Sequence, residues 1–232
     1  MRLAIVGYGR MGRAIASLAP ARGHEIALVI DEAENPDGRG LTVERLRGVD
    51  AAVEFSTPAA APLNLVRLIE AGVPTVCGTT GWGHELPRIT MLARERRAAL
   101  VHAPNFSVGV QIFLRAARDL AQGFAGRREF EGFIVEEHHT TKLDAPSGTA
   151  QTLRERLHHA DPDRVFPITS IRAGAIPGIH TITYDGPFDT VTLSHTARSR
   201  DGFAAGALLA AEWLPGRTGV FTFEDVLFGE AQ

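Results

Sequence analysis

The chain has 232 residues, of which 44% are hydrophobic and 22% charged, so it can bury the core of one large domain or of two smaller ones. Its formal net charge of −3 argues against nucleic acid or an anionic membrane as a partner, and no apolar run in the sequence approaches the length of a membrane span. Cys77 is the single cysteine, which excludes a disulfide framework and a thiolate metal cluster within the chain. The chain opens on a strand-like Leu3–Val6 without the pattern of a signal peptide, and we therefore expect a cytoplasmic protein.

Short apolar runs alternate with amphipathic stretches over the first hundred residues. The predicted strands are Leu3–Val6, Ile26–Ile30, Ala51–Phe55, Thr75–Cys77 and Leu100–Ala103. The predicted helices are Met11–Leu18, Ala59–Ala71 and Glu85–Arg97. This alternation with short links is typical of a doubly wound parallel sheet and predicts an α/β fold.

The middle of the chain has a different pattern. The elements predicted there are helix Gly109–Gln122, strand Gly132–Glu137, a helix from about Thr149 to His159, and the β-rich runs Ile168–Arg172, His180–Tyr184 and Thr190–Thr196. Strands in succession, separated by glycine- and proline-containing turns, indicate an antiparallel or mixed sheet and hence a second, α+β domain. The tail contains a predicted helix, Phe203–Leu214, and a short C-terminal segment.

A glycine-rich turn follows the first predicted strand. It reads Gly7-Tyr8-Gly9-Arg10-Met11-Gly12, the G-x-G-x-x-G pattern that allows a tight turn, close approach to a pyrophosphate and close helix packing. The helix that follows offers N–H groups and the positive end of its dipole to the phosphates. Asp31 ends the second strand, where an acid accepts hydrogen bonds from the adenine ribose. Taken singly, the turn can be a plain strand-to-helix link and Asp31 a turn or cap residue, but together they predict a dinucleotide site.

Three further loops follow apolar strands. They are Ser56-Thr57-Pro58, Gly78-Thr79-Thr80-Gly81 and Ala103-Pro104-Asn105-Phe106-Ser107. Each by itself is typical of an ordinary turn. Because ligands of open parallel sheets lie at the carboxyl ends of the strands, we expect the three loops to face one crevice.

The segment Glu136–Ala150 concentrates proton-transferring and cationic side chains. Histidine, here His138 and His139, is the side chain best suited to moving protons near neutral pH. Lys142 can neutralise an anionic substrate or act as an acid. The segment predicts acid–base chemistry on an anionic ligand.

A helix is predicted to begin at the end of the same segment. Gly148 and Thr149 lie at its start, where N–H groups can hold a carboxylate. The alternative is a solvated polar loop in which Ser147 caps the helix. A metal site is not expected, because adjacent histidines on extended backbone point to opposite sides and no H-E-x-x-H pattern is present. His158-His159, at the end of this helix, are interpreted as surface residues that complement its dipole.

The run Glu137-His138-His139-Thr140-Thr141-Lys142-Leu143-Asp144-Ala145-Pro146-Ser147-Gly148-Thr149-Ala150 resembles the signature of the 4-hydroxy-tetrahydrodipicolinate reductase family. The glycine turn and the Gly78–Gly81 and Ala103–Ser107 loops are similar to the family's cofactor segments. The segments Arg172–His180, His195–Ala204 and Glu224–Leu227 resemble its later blocks. The resemblance therefore covers nearly the whole chain.

The resemblance implies reduction of 4-hydroxy-tetrahydrodipicolinate to tetrahydrodipicolinate by NAD(P)H with loss of water, on the route to diaminopimelate and lysine. It implies His138 as proton donor or acceptor and Lys142 as proton donor. It also implies His139 as a substrate contact, with Gly148 and Thr149 as the pair that binds a substrate carboxylate. The dinucleotide contacts that it implies are Gly7, Tyr8, Gly9, Arg10, Met11, Gly12, Asp31, Gly78, Thr79, Thr80, Ala103, Pro104, Asn105 and Phe106.

The resemblance further implies a homotetramer with a Rossmann-like domain, residues 1–108 completed by 201–232. A substrate-binding and tetramerisation domain, residues 109–200, is expected to be inserted into it. The chain departs from the family's longer members by a shortened loop over residues 32–48, which affects the adenosine contacts more than the chemistry. Two alternatives remain open: a Rossmann reductase for another small acid, and a non-catalytic dinucleotide sensor.

The residues around the second strand predict a preference for NADH over NADPH. The charge of Asp31 opposes a 2′-phosphate, and Glu32 stands where dual-specificity members carry an arginine. Arg10 and Arg39 are the cations expected to allow some use of NADPH. We therefore expect a bias toward NADH that does not exclude NADPH.

Overall fold

The computed structural model describes residues 1–229, and the chain divides into two compact units. The first unit comprises Met1–Ser107 together with the chain from Arg200 onward, and the second comprises Val108–Ser199. In chain order the elements are β1 (Arg2–Val6), α1 (Arg10–Leu18), β2 (Glu25–Ile30), β3 (Ala51–Glu54), α2 (Ala61–Glu70), β4 (Thr75–Cys77), α3 (Leu86–Glu95), β5 (Ala99–His102), α4 (Val108–Phe124), β6 (Glu131–His138), α5 (Gly148–Ala160), β7 (Ile168–Arg172), β8 (Ile179–Asp185), β9 (Thr190–Thr196), α6 (Asp201–Trp213), β10 (Gly219–Thr222) and α7 (Phe223–Phe228).

The first unit contains a six-stranded sheet in the order β10-β5-β4-β3-β1-β2, with every strand pair parallel. The direction of winding reverses between β1 and β3, which are hydrogen-bonded neighbours. Open parallel sheets bind ligands outside the carboxyl ends of the strands at such a reversal. The fold therefore directs attention to the turn after β1 and the loop after β3.

Successive residues of a strand point to opposite faces of the sheet, and helices cover both faces. Ala4 and Val6 of β1 pack in one buried cluster with Leu68 of α2. Ile5 points the other way, where a methyl group added at Gly12 of α1 would lie 3.2 Å from it. Helix α6 contacts α1, β3 and β4, so the C-terminal part of the chain returns to this unit. The parallel sheet with helices on both faces confirms the predicted α/β fold class.

The crossover from β2 to β3 contains no α-helix in residues 31–50, all of which the structure describes. Two single 3₁₀ turns, Glu32–Glu34 and Pro36–Gly38, take its place. Leu41 and Leu46 are each 3% exposed and pack in the cluster beside Ile30. The shortened loop is therefore anchored to the core at two points.

The second unit is a mixed four-stranded sheet in the order β7-β6-β8-β9. β6 and β7 are parallel, whereas the β6–β8 and β8–β9 pairs are antiparallel. Residues of α4 and α5 form a buried cluster with Ile134 of β6 and with Ile182 and Tyr184 of β8. This unit confirms the mixed sheet expected for the middle of the chain.

Strand β6 explains how this unit becomes polar at one edge. Every second residue of β6 is buried, and toward the carboxyl end of the strand these buried residues change from the apolar Ile134 to the polar Glu136 and His138. The register pairs His138 with Arg172 of β7 and Glu136 with His180 of β8. Four polar side chains are thereby brought to one end of the inner face.

The predicted helices and strands are all present, with ends that differ by a few residues. Strand β10 and helix α7 were missed, because Thr222 both ends the strand and caps the helix, which leaves no turn signal between them. Among the described residues, no helix is both long and apolar enough to cross a membrane.

Candidate functional site

The glycine turn after β1 has the geometry expected of a dinucleotide site. Gly7 has φ +89°, and a Cβ there would lie 2.2 Å from the carbonyl oxygen of Phe55. A Cβ at Gly12 would lie 2.2 Å from the carbonyl oxygen of Gly7. Gly9 caps α1 without a side-chain hydrogen bond, and a Cβ there would meet nothing within 4 Å. The turn is therefore closed by backbone packing on one side and open on the other.

A cavity of about 320 Å³ lies in front of this turn. It is lined by the glycine turn and the loops after β3 and β4, namely Gly9, Arg10, Met11, Phe55, Ser56, Pro58, Gly78, Thr79 and Thr80. The backbone N–H of Ser56 donates to Oγ1 of Thr79 at 2.8 Å, so the two loops are joined. Within the described chain, the residues Ala103–Phe106 are not part of this lining, although the ring of Phe106 contacts that of Phe55 at 6.0 Å between centroids.

Glu54, at the end of β3, is a buried carboxylate behind these loops and is 0% exposed. It accepts hydrogen bonds from Thr79 Oγ1 at 2.7 Å, from Asn64 Nδ2 at 3.2 Å and from Cys77 Sγ at 3.2 Å. It also accepts a short hydrogen bond from Ser56 Oγ. One carboxylate therefore joins β4, α2 and both loops.

Asp31 lies beside the glycine turn. Its Oδ1 accepts a hydrogen bond from the backbone N–H of Tyr8 at 3.1 Å, and this bond, with one from the N–H of Glu32, lowers the pKa of Asp31. The charge of Arg13 contributes in the same direction. Arg13 donates from Nε to the carbonyl of Tyr8 at 3.1 Å and lies over its ring at 4.9 Å. Arg13 is a cation at this position that sequence reasoning missed.

The second candidate site lies in the second unit, where Glu136 and His138 share the inner face of β6. Glu136 accepts a short hydrogen bond from Nδ1 of His138, and it also accepts from Arg172 at 2.7 Å and from the N–H of Ser147 at 3.3 Å. Burial by itself raises the pKa of Glu136, but hydrogen bonds from Arg172 and Ser170 and the charge of His138 outweigh it and bring the pKa to about 2. Glu136 is therefore ionised at neutral pH.

His138 and His180 are the two buried histidines of this cluster, 7% and 5% exposed, with rings 5.1 Å apart. Burial lowers the pKa of His138, with further lowering by the charges of Lys142 and Arg172, while Glu136 opposes the shift. Burial lowers the pKa of His180 to about 4. Both histidines are thus biased toward the neutral form.

The start of α5 combines a side-chain cap with an uncrowded glycine. Ser147 is its N-cap and accepts from the N–H of Ala150 at 3.2 Å, and its hydroxyl shares a hydrogen bond of 3.0 Å with Nε2 of His180. A Cβ at Gly148 would meet nothing within 4 Å. The capping role considered for Ser147 is confirmed, and the same cap is tied to the histidine cluster.

Lys142 and His139 lie in the loop between β6 and α5. Lys142 Nζ donates to the two carboxylate oxygens of Asp144 at 2.7 and 2.9 Å, and this bond lowers the pKa of Asp144. Nδ1 of His139 lies 2.8 Å from Oγ1 of Thr141. His138 is buried, whereas His139 is half-buried.

The ring nitrogens of His138 and His180 and a carboxylate oxygen of Glu136 lie within 4.8 Å of one another, a spacing compatible with a metal ion. The carboxylate, however, is already bound to Arg172 and His138. A cation added here would face the guanidinium. The arrangement therefore favours proton transfer over metal binding.

The structure brings together two separate groups of predicted residues. Gly9 to Met11 and Gly78 to Thr80 meet at the cavity of the first unit. In the second unit the predicted His138 binds the buried carboxylate of Glu136, which also accepts from the N–H of Ser147, the residue considered as a helix cap. Sequence reasoning missed the roles of Glu54, Glu136, Arg172 and His180. Alternation on β6 would have placed Glu136 beside His138, whereas Arg172 and His180 depend on strand register.

Comparison with known proteins identifies the family of the chain. Residues 1–106 match the family model described as dihydrodipicolinate reductase, N-terminus, and residues 109–227 match dihydrodipicolinate reductase, C-terminus. The chain is 38% identical to a protein named 4-hydroxy-tetrahydrodipicolinate reductase from Christiangramia forsetii, over 98% of each chain. It is 34% identical to one of the same name from Thiobacillus denitrificans, again over 98% of each.

The fold is also similar to a solved structure described as dipicolinate-bound dihydrodipicolinate reductase from Paenisporosarcina sp. TG-14. The TM-score is 0.81 at 23% identity, covering 96% of this chain and 97% of the other. With both halves of the family matched and relatives aligned over 98% of their length, the chain belongs to the dihydrodipicolinate reductase family of pyridine-nucleotide-dependent oxidoreductases.

Proposed function

We propose that the chain reduces 4-hydroxy-tetrahydrodipicolinate to tetrahydrodipicolinate with loss of water, in diaminopimelate and lysine biosynthesis, and that its second unit performs the proton chemistry. Family membership supports the reaction. The observation that carries the assignment of residues is the cluster at the end of β6. It combines a buried carboxylate–histidine pair with Lys142 and an uncluttered helix start.

The first unit fits a nicotinamide dinucleotide. The glycine turn leaves room for a pyrophosphate at the start of α1, and the joined loops after β3 and β4 enclose the rest of the cavity. When bound, NAD(P)H supplies the hydride. The chain's own residues hold and orient it, with Asp31 facing the ribose and Thr79 and Thr80 lining the cavity.

The substrate carries two carboxylates, which the second unit would bind by charge and by backbone. Lys142 supplies a cation, and His139 a ring nitrogen for hydrogen bonding, in a chain whose net charge is −3. Gly148 and Thr149 begin a helix of 13 residues, whose dipole favours an anion at that end. Dipicolinate, a planar dicarboxylate, is bound in the similar Paenisporosarcina structure, which supports this class of ligand.

Proton transfer is assigned to His138 and Lys142. Because Nδ1 of His138 is held by Glu136, the atom available for proton exchange is Nε2. Nζ of Lys142 is the second donor, and its bond to Asp144 holds it in the loop before α5. The two groups provide an acid and a base close to the residues that bind the carboxylates.

A preference for NADH is part of the proposal. Asp31, with a lowered pKa, is ionised at neutral pH and its charge repels a 2′-phosphate. Glu32 adds a second carboxylate next to it. Arg39 is exposed and paired with Asp37 at 3.4 Å, whereas Arg13 lies near Asp31. Arg13 is therefore a further cation to consider for NADPH.

We also propose a homotetramer assembled through the outer face of the β7-β6-β8-β9 sheet. On that face Phe133 is 36% and Ile171 is 39% exposed, and Thr181 and Ser194 pair their hydroxyls at 2.9 Å. An apolar patch with satisfied polar neighbours suits a self-complementary contact between copies. A cytoplasmic location is proposed as well, since Cys77 is a buried free thiol, as is usual in reducing compartments.

The test follows NADH absorbance with freshly generated 4-hydroxy-tetrahydrodipicolinate as substrate. Substrate-dependent oxidation of NADH by the wild type, lost in His138→Ala, is the expected result. A non-catalytic sensor would bind NADH without oxidising it. A reductase for another acid would oxidise NADH only with that acid, and either outcome would contradict the proposal.

A further inference from the structure

Glu136 transfers no proton in the chemistry proposed above, yet it lies at the centre of the cluster. It is 0% exposed and it binds four groups from three segments of the chain. These are His138 on its own strand, Arg172 at the end of β7, Ser170 within β7 and the backbone of Ser147 before α5. A carboxylate held on so many sides cannot swing away from the histidine.

We propose that Glu136 is a positioning residue that holds His138 as the Nδ1–H tautomer with its Nε2 directed to the reacting side. The inference rests on the proposed proton-transfer role of His138. An ionised carboxylate can accept hydrogen bonds but cannot donate them, so the ring nitrogen that faces it must carry a proton. In neutral His138, Nε2 is then the acceptor, and in the protonated ring Nε2–H is the donor.

The surroundings of Nε2 agree with this assignment. A methyl group added at Gly178 would lie 3.0 Å from Nε2 of His138. A side chain at residue 178 would therefore crowd the atom that exchanges the proton, and this chain has none there. Fixing the second nitrogen by a carboxylate is how proteins set both the tautomer and the direction of a histidine ring.

Each charged or titratable group facing His138 acts in a definite direction. The charges of Arg172 on β7 and of Lys142 in the loop after β6 disfavour the imidazolium. Burial of the ring, which lies against His180 of β8, disfavours it as well. Glu136 is the group that favours it. Removing its charge while keeping its shape therefore moves the protonation of His138 to lower pH.

The first test uses Glu136→Gln, which keeps size and removes charge. Glu155→Gln, the same change at an exposed position on α5, is the control. The limb of the kcat–pH profile due to His138 is identified as the one absent from His138→Ala. In Glu136→Gln we expect this limb at lower pH and kcat lower by about 10- to 100-fold, part of the contribution of a general acid or base. KM for the substrate should stay within about threefold, since Glu136 is not among the residues proposed to bind the carboxylates.

The second test measures the tautomer directly in the wild type. Ring ¹⁵N and ¹³C shifts of His138 in the wild-type holoenzyme, assigned by their loss in His138→Ala, report which nitrogen carries the proton. An Nδ1–H tautomer, becoming a mixture in Glu136→Gln, supports the inference. A wild-type Nε2–H tautomer overturns it, even if Glu136→Gln fails to fold.

The outcomes separate this inference from the proposed function. If Glu136→Gln keeps wild-type kcat and pH profile while His138→Ala loses activity, the positioning role is wrong and the role of His138 stands. If both variants keep their activity, the role of His138 is wrong and the inference falls with it.

Discussion

The ion pair between Arg172 and Glu136 gives the sharpest prediction for stability. Arg172→Met keeps much of the apolar stem but leaves the carboxylate of Glu136 without its cation. The guanidinium of Arg172 donates to Glu136 at 2.7 Å and to the carbonyl of Asp144 at 2.5 Å, so the substitution removes both contacts. Removing one partner of a fully buried pair costs about 3–5 kcal/mol.

The pKa of Glu136 sets the size of the expected effect. Lowering it from 4.5 to about 2 corresponds to about 3 kcal/mol of stabilisation at neutral pH. Arg172 provides only part of that lowering, and its side chain is 18% exposed, so water replaces some of its interaction. We therefore expect Arg172→Met to lower the free energy of unfolding by about 2 kcal/mol at pH 7.

The pH dependence identifies the cause. A carboxylate whose pKa is depressed in the folded state contributes its stabilisation above the ordinary pKa of 4.5, and this is lost as the pH falls toward 2. The difference between wild type and Arg172→Met should thus be full at pH 7 and shrink below about pH 5. Urea unfolding followed by circular dichroism measures it, with Arg154→Met on the exposed side of α5 as the matched control. A loss that stays constant down to about pH 3 would show that the ionisation of Glu136 is not involved.

Further predictions concern turnover, ligands and assembly. Lys142→Ala and His138→Ala should each lower kcat by roughly 100- to 10,000-fold and leave the Kd for NADH, from fluorescence titration, nearly unchanged; near-normal turnover in both would contradict the assignment. Pyridine-2,6-dicarboxylate should compete with the substrate and raise the melting temperature more when NADH is present, whereas competition with NADH would place its site in the first unit. The wild type should have a higher kcat/KM with NADH than with NADPH, and Glu32→Arg should shift this preference toward NADPH. If the wild type prefers NADPH instead, Arg13→Gln tests whether Arg13 binds the 2′-phosphate. Light scattering should report a tetramer for the wild type and a smaller species for Phe133→Lys, and a wild-type monomer at micromolar concentration would contradict the proposed interface.

The first sheet could be predicted from the sequence because each strand is a short apolar run bounded by a turn. Strand Thr75–Cys77 has the predicted limits, although it is only three residues long, because glycine and proline mark the chain on either side. Strand Gly219–Thr222 has no such boundary on its C-terminal side, since Thr222 is also the cap of the next helix. A residue shared by two elements gives no local signal for either.

The site residues that lie close together in the sequence could be predicted, whereas those that only the fold brings together could not. His138 ends β6 and Lys142 follows it by four residues, so their grouping is visible in the sequence. Arg172 and His180 join Glu136 only because β7 pairs in parallel and β8 in antiparallel register with β6. Register is set by the packing of whole strands, which a single sequence does not display.

The hydrogen bonds of Glu54 have a consequence for protein engineering. Ser56, Asn64, Cys77 and Thr79 all donate to this one carboxylate, although they come from different segments of the chain. Substitutions at residues that share one buried partner are not additive, with coupling energies of about 0.5–3 kcal/mol. Efforts to change cofactor specificity by exchanging the loop after β3 or the loop after β4 alone will leave donors of the other loop mismatched. The effects of substitutions in these segments are coupled, so the segments should be randomised and selected together.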